Sequence, residues 1–366
     1  MNIMIDYKNP KLIIETSKVA ENKISWQSPS NLAIVKYWGK HGIQLPRNPS
    51  ISFTLDKAYT ETTLSYTPKT GVDQGIDLEF LFDGQSNEAF RGKVLKFLES
   101  LTDIFPFLRQ VRLSIESKNS FPHSAGIASS ASSMSALALC LCSMEHHFFG
   151  SLSDDQEFRR KASYIARLGS GSACRSIYAT MGLWGATGEV GDSSDLYAIP
   201  FEKELHSIFT TFHDDILIVS KGEKSVSSRA GHSLMDGNIY AENRYSQARQ
   251  RMHRLLGALR SGDLETFGQI AESEALTLHA LMMTSNPPYI LMHPNSLLLI
   301  EKIWDFRQET GDPLFFSLDA GPNLHLLYPE TIKDKVQAFI KNDLIQYCEQ
   351  RQWIADQVGK GPLQLG

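Results

Sequence analysis

The order of predicted helices and strands predicts an α+β fold built from two lobes. Runs of strand-like segments are followed by runs of helix-like segments, without the strict alternation that a doubly wound parallel sheet requires. The chain has 366 residues, which is long for one compact domain and suits two lobes. Hydrophobic residues make up 42% of the chain and charged residues 21%, so a large core is expected.

The bulk composition argues against several classes of protein. A formal net charge of −5 argues against a general nucleic-acid-binding protein, although it leaves room for a local basic pocket. The four cysteines have neither a CxxC pair nor zinc-binding spacing, which favours free thiols in a reducing cytosol. Neither an apolar run long enough for a membrane span nor a signal peptide is evident. We therefore expect a cytoplasmic protein that binds small molecules rather than nucleic acid or membrane.

The first half of the chain predicts strands and then helices. A buried strand, SNLAIVKYW, is followed by two Thr-rich alternating strands that we expect to pair, ISFTL and YTETTLSYT. The strand IDLEFLFDG ends on a turn signal, and NEAFRGKVLKFLESL has helical spacing. The strand VRLSIESKN precedes two predicted helices, MSALALCLCSMEHHFF and DDQEFRRKASYIARLGSG.

The second half predicts one further strand, a set of helices, a strand pair and a last helix. These segments are DDILIVSKG, ENRYSQARQRMHRLLGALRSG, LETFGQIAESEALTLHALMM, SLLLIEKIWDFRQETG, PLFFSLDAGPNLHLLY and ETIKDKVQAFIKN. A polar region from GEVGDSSD to FEKELHS separates the two halves. We accordingly divide the chain into an N-terminal extension (1–24), an N-terminal lobe (25–205) and a C-terminal lobe (206–366).

A serine-rich loop, FPHSAGIASSASS, precedes the most apolar predicted helix. Pro122 stiffens the entry of the loop, and Gly126 permits a backbone conformation that a side chain would forbid. Ser124, Ser129 and Ser130 lie near the helix N-terminus, where unpaired N–H groups and the helix dipole favour an anion. Serine hydroxyls also bind phosphate oxygens or Mg²⁺. The alternative is a buried helix that is simply capped by serine.

Two lysines follow the first predicted strand, in the segment NLAIVKYWGK. Lys36 and Lys40 are four positions apart with Tyr37 and Trp38 among the residues between them, an unusual end for a buried strand. The pair suits a phosphate chain held between two cations. A solvated strand edge with an aromatic anchor is the alternative interpretation.

Two further turns combine serine with arginine. In ARLGSGSACRSIY, Ser170 and Ser172 form a hydroxyl-rich turn, and Arg175 has the planar fork that binds a carboxylate through parallel hydrogen bonds. In SKGEKSVSSRAGH, Ser228 and Arg229 form a second serine-rich loop. Both turns are therefore candidates for anion binding.

A single aspartate follows an apolar strand in the segment SLDAGPN. The glycine and proline after Asp319 force an immediate turn, which directs the carboxylate towards the boundary between the lobes. A partly buried carboxylate in such a place suits a general base or an electrostatic positioning group. The alternative is an ordinary turn-capping aspartate.

These segments, taken in order, resemble those of the diphosphomevalonate decarboxylases, a branch of the GHMP kinase superfamily. The resemblance runs from about Ser28 to Glu330, and KYWGK, GSGSACRS and DAGPN are specific in combination. It implies an α+β two-lobe GHMP-kinase fold, with an N-terminal lobe like domain 2 of ribosomal protein S5 and a ferredoxin-like C-terminal lobe. It also implies a homodimer in the cytosol.

The resemblance implies a concrete reaction. ATP with Mg²⁺ phosphorylates the C3 hydroxyl of mevalonate 5-diphosphate, and loss of phosphate and CO₂ gives isopentenyl diphosphate. Sister activities on mevalonate 5-phosphate, mevalonate 3,5-bisphosphate or mevalonate are alternatives, as are a sugar or homoserine kinase and a non-catalytic binding protein of the same fold.

The resemblance also assigns roles to the candidate residues. Asp319 orients or deprotonates the C3 hydroxyl, Arg175 holds the carboxylate that leaves as CO₂, and Lys36 completes the catalytic set. The implied substrate-binding residues are Tyr37, Lys40, Ser170, Ser172 and Arg229. The implied ATP-binding residues are Ser124, Gly126, Ser129, Ser130 and Ser228, with Ser129 also the Mg²⁺ ligand.

The chain departs from the usual pattern of the family at several positions near the substrate pocket. His41 replaces an arginine, Pro49 replaces a serine, and His232 replaces a methionine. The segment ATMGLW stands where many relatives have GGFxEW. The departures concern the shape of the pocket rather than the catalytic set.

Overall fold

The computed structural model describes residues 6–69, 75–122, 127–222 and 226–365. Within these ranges the strands are β1 (Asn22–Val35), β2 (Lys40–His41), β3 (Leu45–Pro46), β4 (Ser50–Pro68), β5 (Asp77–Phe82), β6 (Gln85–Ser86), β7 (Val111–Asn119), β8 (Met181–Trp184), β9 (Ala198–Pro200), β10 (His213–Leu217), β11 (Phe315–Leu318), β12 (Leu324–Tyr328), β13 (Trp353–Ile354) and β14 (Leu363–Gln364). The helices are α1 (Glu88–Ser100), α2 (Ser129–Phe149), α3 (Asp155–Gly169), α4 (Ser228–Ser233), α5 (Ala241–Ser261), α6 (Leu264–Met283), α7 (Pro294–Thr310) and α8 (Lys333–Phe339).

The N-terminal lobe is built on a large mixed sheet. Its described strands follow the order β14-β1-β4-β7-β5-β6, with β8 paired to β4 and β9 paired to β8. β5 runs parallel to β7, whereas the other pairs are antiparallel. Helices α2 and α3 pack on this sheet around apolar residues such as Leu64, Leu113 and Leu139, which are buried completely.

One expectation for this lobe was wrong. The segments ISFTL and YTETTLSYT do not pair with each other, because both belong to the single strand β4. The intervening residues, Asp56–Lys57–Ala58, lack the glycine that the favoured two-residue hairpin turns contain. The strand instead accommodates two register shifts against β1 and pairs first with β8 and then with β7.

The C-terminal lobe contains an antiparallel sheet in the order β11-β12-β10-β13. Helices α5 and α6 contact each other, and α6 contacts β11. The predicted strand–turn–strand segment forms β11 and β12, joined by the turn that contains Asp319. The predicted final helix is shorter than expected, since α8 changes into a wider helical turn at Ile340–Leu344.

A shared hydrophobic cluster joins the two sheets. It includes Ile34 and Phe53 from the first sheet, Phe267 from α6, and Phe315 from the second sheet. The C-terminal segment also connects the two sheets, because β13 pairs with β10 in the second sheet and β14 pairs with β1 in the first. Among the described residues, none of the helices combines the length and apolarity required to cross a membrane.

Candidate active site

A buried lysine and a partly exposed aspartate form the centre of the site. Lys36 follows β1 and is 2% exposed, and its Nζ lies 2.8 Å from Oδ1 of Asp319. Nζ also donates to Oγ of Ser317 at 2.9 Å. His279 Nε2 lies 3.1 Å from the main-chain oxygen of Asp319, so α6 supports the turn that carries the carboxylate. The docking of the two lobes thus brings together the predicted catalytic lysine and aspartate.

Arg175 is the second buried cation of the site. Arg175 is 1% exposed. Its Nε donates to Ser52 Oγ at 2.9 Å, and its Nη2 donates to Asn31 Oδ1 at 3.3 Å. Nη1 is buried and has no hydrogen-bond partner among the described residues. Burial lowers the pKa of Arg175, and the negative charge of Asp319 acts in the opposite direction. Within the part of the chain that the structure describes, no carboxylate forms an ion pair with this guanidinium.

A buried carboxylate beneath Lys36 holds its main chain in place. Glu274 on α6 is fully buried, and its Oε2 accepts the Lys36 N–H at 2.8 Å. Arg244 on α5 donates to both carboxylate oxygens, at 2.7 and 2.5 Å, and Arg251 donates to Oε1 at 2.8 Å. Burial alone would raise the pKa of Glu274, but these arginines and the Lys36 N–H lower it below the usual value.

Sequence reasoning did not identify this network, although a signal was present. Glu274 lies between Ile270 and Leu278 at intervals of four residues, on the face of α6 that is buried. Arg244 likewise lies beside the buried residues Tyr245 and Ala248 on α5. A charged residue on the apolar face of each of two consecutive helices indicates a buried pair. Asn31 and Ser317 were also missed, because isolated polar residues in strands carry no such signal.

Tyr37 lies between the two lobes with its hydroxyl buried. Its ring packs against Trp184 and His232, with centroid distances of 4.7 and 4.3 Å. Among the described residues its hydroxyl has no hydrogen-bond partner. A Cβ atom at Gly171 would lie 2.7 Å from this oxygen, so the approach requires glycine. Burial raises the pKa of Tyr37, which keeps the hydroxyl protonated and able to donate.

The first two serine-rich segments meet across the site. Ser129 and Ser130 begin α2 after Ala128, which has a left-handed conformation with φ of 44°. Ser130 Oγ lies 3.3 Å from Ser170 Oγ, so the predicted ATP loop and the predicted substrate turn are neighbours. Ser124 and Gly126 lie outside the described residues.

Other serines of the same segment have structural partners. Ser132 is buried and contacts Thr60 Oγ1 at 2.6 Å, and Ser133 Oγ donates to the carbonyl of Ser129 at 2.7 Å. The two interpretations of this segment, a serine-capped buried helix and an anion-binding site, are therefore compatible with each other. Buried serines secure α2 to the sheet, whereas Ser130 remains exposed at its N-terminus.

The remaining candidates are Lys40, Ser172, Ser228 and Arg229. Lys40 Nζ donates to Gln44 Oε1 at 3.1 Å. Burial and the charge of Arg229 lower the pKa of Lys40, which indicates that these cations are close. Ser228 and Arg229 are exposed at the start of α4. Ser172 is half-buried, and its carbonyl accepts from Asn31 Nδ2 at 3.2 Å.

The residues at the N-terminus of α2 fit a magnesium ion that is bound mainly by phosphate and water. Among the described residues no group of three or more histidine, cysteine, aspartate or glutamate side chains could form a protein cage for a metal. Mg²⁺ commonly keeps several waters and binds substrate phosphates with few protein ligands. The half-buried hydroxyl of Ser129 can serve as one such ligand.

The fold and this site define a GHMP-type two-lobe enzyme that acts on phosphorylated small molecules. A family model described as the diphosphomevalonate decarboxylase-like N-terminal domain matches residues 28–197, and one described as the mevalonate 5-diphosphate decarboxylase C-terminal domain matches residues 215–362. The diphosphomevalonate decarboxylase of Ganoderma lucidum is 31% identical over 332 residues, covering 86% of this chain and 80% of the relative. The chain belongs to the diphosphomevalonate decarboxylase family.

Solved structures of similar proteins agree with this assignment. The mevalonate diphosphate decarboxylase of Staphylococcus aureus superposes with a TM-score of 0.79 at 26% identity, covering 95% of this chain and 99% of that chain. A structure described as MDDEF in complex with MVAPP, AMPPCP and magnesium has a TM-score of 0.77 at 26% identity, covering 94% and 99% of the respective chains. The predicted α+β two-lobe fold is confirmed.

Proposed function

We propose that this chain catalyses the ATP-dependent decarboxylation of mevalonate 5-diphosphate to isopentenyl diphosphate, with release of ADP, phosphate and CO₂. The observation that carries the proposal is the buried guanidinium of Arg175, which has neutral partners on two nitrogens and an unpaired third. A buried charge without a carboxylate in direct contact is costly, and Asp319 acts on Arg175 only from a distance. The carboxylate of the substrate would supply that charge and would be held rigidly before it leaves as CO₂.

Asp319 is the group that we assign to the C3 hydroxyl. A tertiary alcohol is a poor nucleophile, so it needs a nearby base and close alignment with the γ-phosphate. Asp319 would accept the proton as the C3 oxygen forms its bond to phosphorus and ADP leaves. Lys36 Nζ lies 2.8 Å from the Asp319 carboxylate and holds it in position for this step.

Decarboxylation would follow in the same pocket. The C3–O bond breaks and phosphate leaves with its electron pair, while the C1–C2 bonding pair forms the C2=C3 double bond and CO₂ departs. This step needs a carboxylate fixed in orientation, which Arg175 supplies. It also needs groups that compensate negative charge around the departing phosphate, for which Lys36 and Lys40 are the nearby candidates.

The N-terminus of α2 is the proposed site for the ATP phosphates. Ser129 and Ser130 offer hydroxyls beside unpaired helix N–H groups, and we assign Ser228 and Arg229 at the start of α4 to the phosphates as well. Magnesium, held by Ser129 and the phosphates, would neutralise charge on the transferred phosphoryl group. The proposed substrate-binding residues are Tyr37, Lys40, Ser170, Ser172 and Arg229.

The assembly and the exact division of the chain are also proposals. We propose a homodimer and a cytosolic location, both of which rest on the family resemblance. We retain the N-terminal extension (1–24) and the lobes 25–205 and 206–366. The sheet pattern supports a boundary between β9 and β10, although β14 contributes a strand to the first sheet.

A product assay tests the proposed reaction. The enzyme would be incubated with ATP and Mg²⁺ and, separately, with mevalonate, its 5-phosphate and its 5-diphosphate, and both ADP and CO₂ would be measured. Equal amounts of ADP and CO₂ from the 5-diphosphate are expected. ADP without CO₂, or turnover of another substrate alone, would contradict the proposal. The relatives compared above are diphosphomevalonate decarboxylases, so the comparisons do not favour a sister activity or a non-catalytic binding protein.

A further inference from the structure

The helix that carries Ser228 and Arg229 contacts the Tyr37–Lys40 loop through a buried histidine. Helix α4 approaches the loop so closely that a Cβ atom at Gly231 would lie 2.6 Å from the ring of Trp38. The next residue, His232, is 8% exposed. Its Nδ1 accepts a hydrogen bond from the backbone N–H of Gly39 at 3.0 Å.

The loop at Gly39 depends on this bond because its conformation is unusual. Gly39 has a φ of 91°, a value that residues with a side chain rarely adopt, and a Cβ there would lie 2.2 Å from the Tyr245 hydroxyl oxygen. His232 also packs its ring against Tyr37 and Trp38, at centroid distances of 4.3 and 4.7 Å. One side chain of the C-terminal lobe therefore contacts three consecutive residues of the loop.

The hydrogen bond defines the tautomer of His232. Because Nδ1 accepts a hydrogen bond, it carries no proton. A neutral ring must therefore carry its proton on Nε2. Burial, with a smaller contribution from the charge of Lys40, lowers the pKa of His232 to about 3, so the ring is neutral at neutral pH. Among the described residues no hydrogen bond to Nε2 is formed.

We propose that His232 is a positioning residue for substrate binding, which fixes the Gly39 backbone and thereby places Tyr37 and Lys40 against the substrate diphosphate. The proposal rests on the proposed function for the identity of the substrate. The residue acts through the loop rather than on the reacting atoms.

Two substitutions separate the hydrogen bond from the bulk of the ring. His232→Phe retains a ring against Tyr37 and Trp38 but leaves the buried Gly39 N–H without an acceptor. His232→Asn loses the ring but can place Oδ1 near the position of Nδ1. The exposed His253→Asn on α5 is the matched control.

The expected result is a selective change in substrate affinity. His232→Phe should raise KM for mevalonate 5-diphosphate about tenfold, with kcat and the KM for ATP changed less than about threefold. His232→Asn should restore most of the affinity. The proposal would be overturned if His232→Phe had a normal KM, or if His232→Asn were as impaired as His232→Phe. An equal change in every kinetic parameter would also overturn it.

A measurement on the unliganded protein tests the tautomer independently of the reaction. Nitrogen NMR of the protein with isotope-labelled histidine, assigned by comparison with His232→Asn, should give an unprotonated Nδ1 and a protonated Nε2. A protonated Nδ1 would overturn the proposal even if the enzyme decarboxylates mevalonate 5-diphosphate. An inactive enzyme with the expected tautomer and normal folding would instead contradict the proposed function, and with it the assignment of the loop to that diphosphate.

Discussion

Arg175 is a buried cation whose hydrogen-bond partners, Ser52 and Asn31, are both neutral. We predict that Arg175→Lys lowers kcat about tenfold to a hundredfold, because an ammonium cannot reproduce the planar fork that holds a carboxylate. The measurement is steady-state CO₂ release. Arg109→Lys, at an exposed position, should behave as wild type. An unchanged rate in Arg175→Lys would mean that another group holds the carboxylate.

Asp319 and Lys36 form the partly buried ion pair of the site. We predict that Asp319→Asn lowers kcat by about 10²–10⁴-fold, since the amide cannot accept the proton of the C3 hydroxyl. ATP affinity, measured by calorimetry, should change little because the carboxylate acts on the alcohol. Asp103→Asn is a suitable exposed control. Turnover near the wild-type rate in Asp319→Asn would remove this residue from the mechanism.

At the scale of elements, α5 and α6 contribute the buried network that secures Lys36. We predict that Glu274→Gln lowers the free energy of unfolding by about 3–5 kcal/mol, because Arg244 and Arg251 lose their shared negative partner. Denaturant-induced unfolding is the measurement. Glu265→Gln, exposed in the first turn of α6, should cost less than about 1 kcal/mol. Equal losses in the two variants would show that the network does not stabilise the fold.

Strand β10 carries Asp215, whose carboxyl group accepts from the Tyr328 hydroxyl at 2.8 Å. Burial raises the pKa of Asp215 to about 6, against about 3.9 in an unfolded chain. Between these values the native state binds more protons than the unfolded state. The contribution of Asp215 to stability is therefore fully present below about pH 4 and decreases as the pH rises through about 6.

We predict that Asp215→Asn reduces this pH dependence. Relative to wild type, its free energy of unfolding should rise by about 1–3 kcal/mol between pH 4 and pH 7, because the amide does not ionise. Chemical unfolding at several pH values is the measurement. Asp77→Asn, at an exposed position in β5, is the control for loss of a carboxylate. A difference between Asp215→Asn and wild type that does not change with pH would contradict the raised pKa.

At the scale of the whole molecule, the lobes share a core centred on Phe267. Its ring lies 5.9 Å from Phe53 in the first sheet and 6.4 Å from Phe315 in the second, measured between centroids. We predict one cooperative thermal transition, which Phe267→Ala shifts as a unit at a cost of about 3–5 kcal/mol. Calorimetry is the measurement.

A comparison variant strengthens this test. Phe306→Ala removes a ring that stacks on Phe339 at 4.4 Å within the C-terminal lobe. If the molecule unfolds as one unit, the Phe306→Ala substitution should shift the same transition as Phe267→Ala. Two separate transitions in wild type, or a Phe306→Ala variant that shifts one of two, would mean that the shared core does not couple the lobes.

The sequence by itself predicted the fold class and most helices and strands, and it supplied the residues that we propose for the reaction. Periodicity and turn residues act over a few positions, so they are readable in segments such as LETFGQIAESEALTLHALMM, which forms α6. The motifs were likewise short and continuous. The single strand β4 was missed because a bend at register shifts, unlike a turn, requires no particular residue.

The tertiary structure decided which atoms meet. Lys36 and Asp319 are separated by 283 positions, and Lys36 and Glu274 by 238. Such contacts form when the two lobes dock, and no local pattern encodes the distance or orientation between them. The contact of His232 with Gly39 has the same origin, since close packing of distant segments places an acceptor beside one particular N–H.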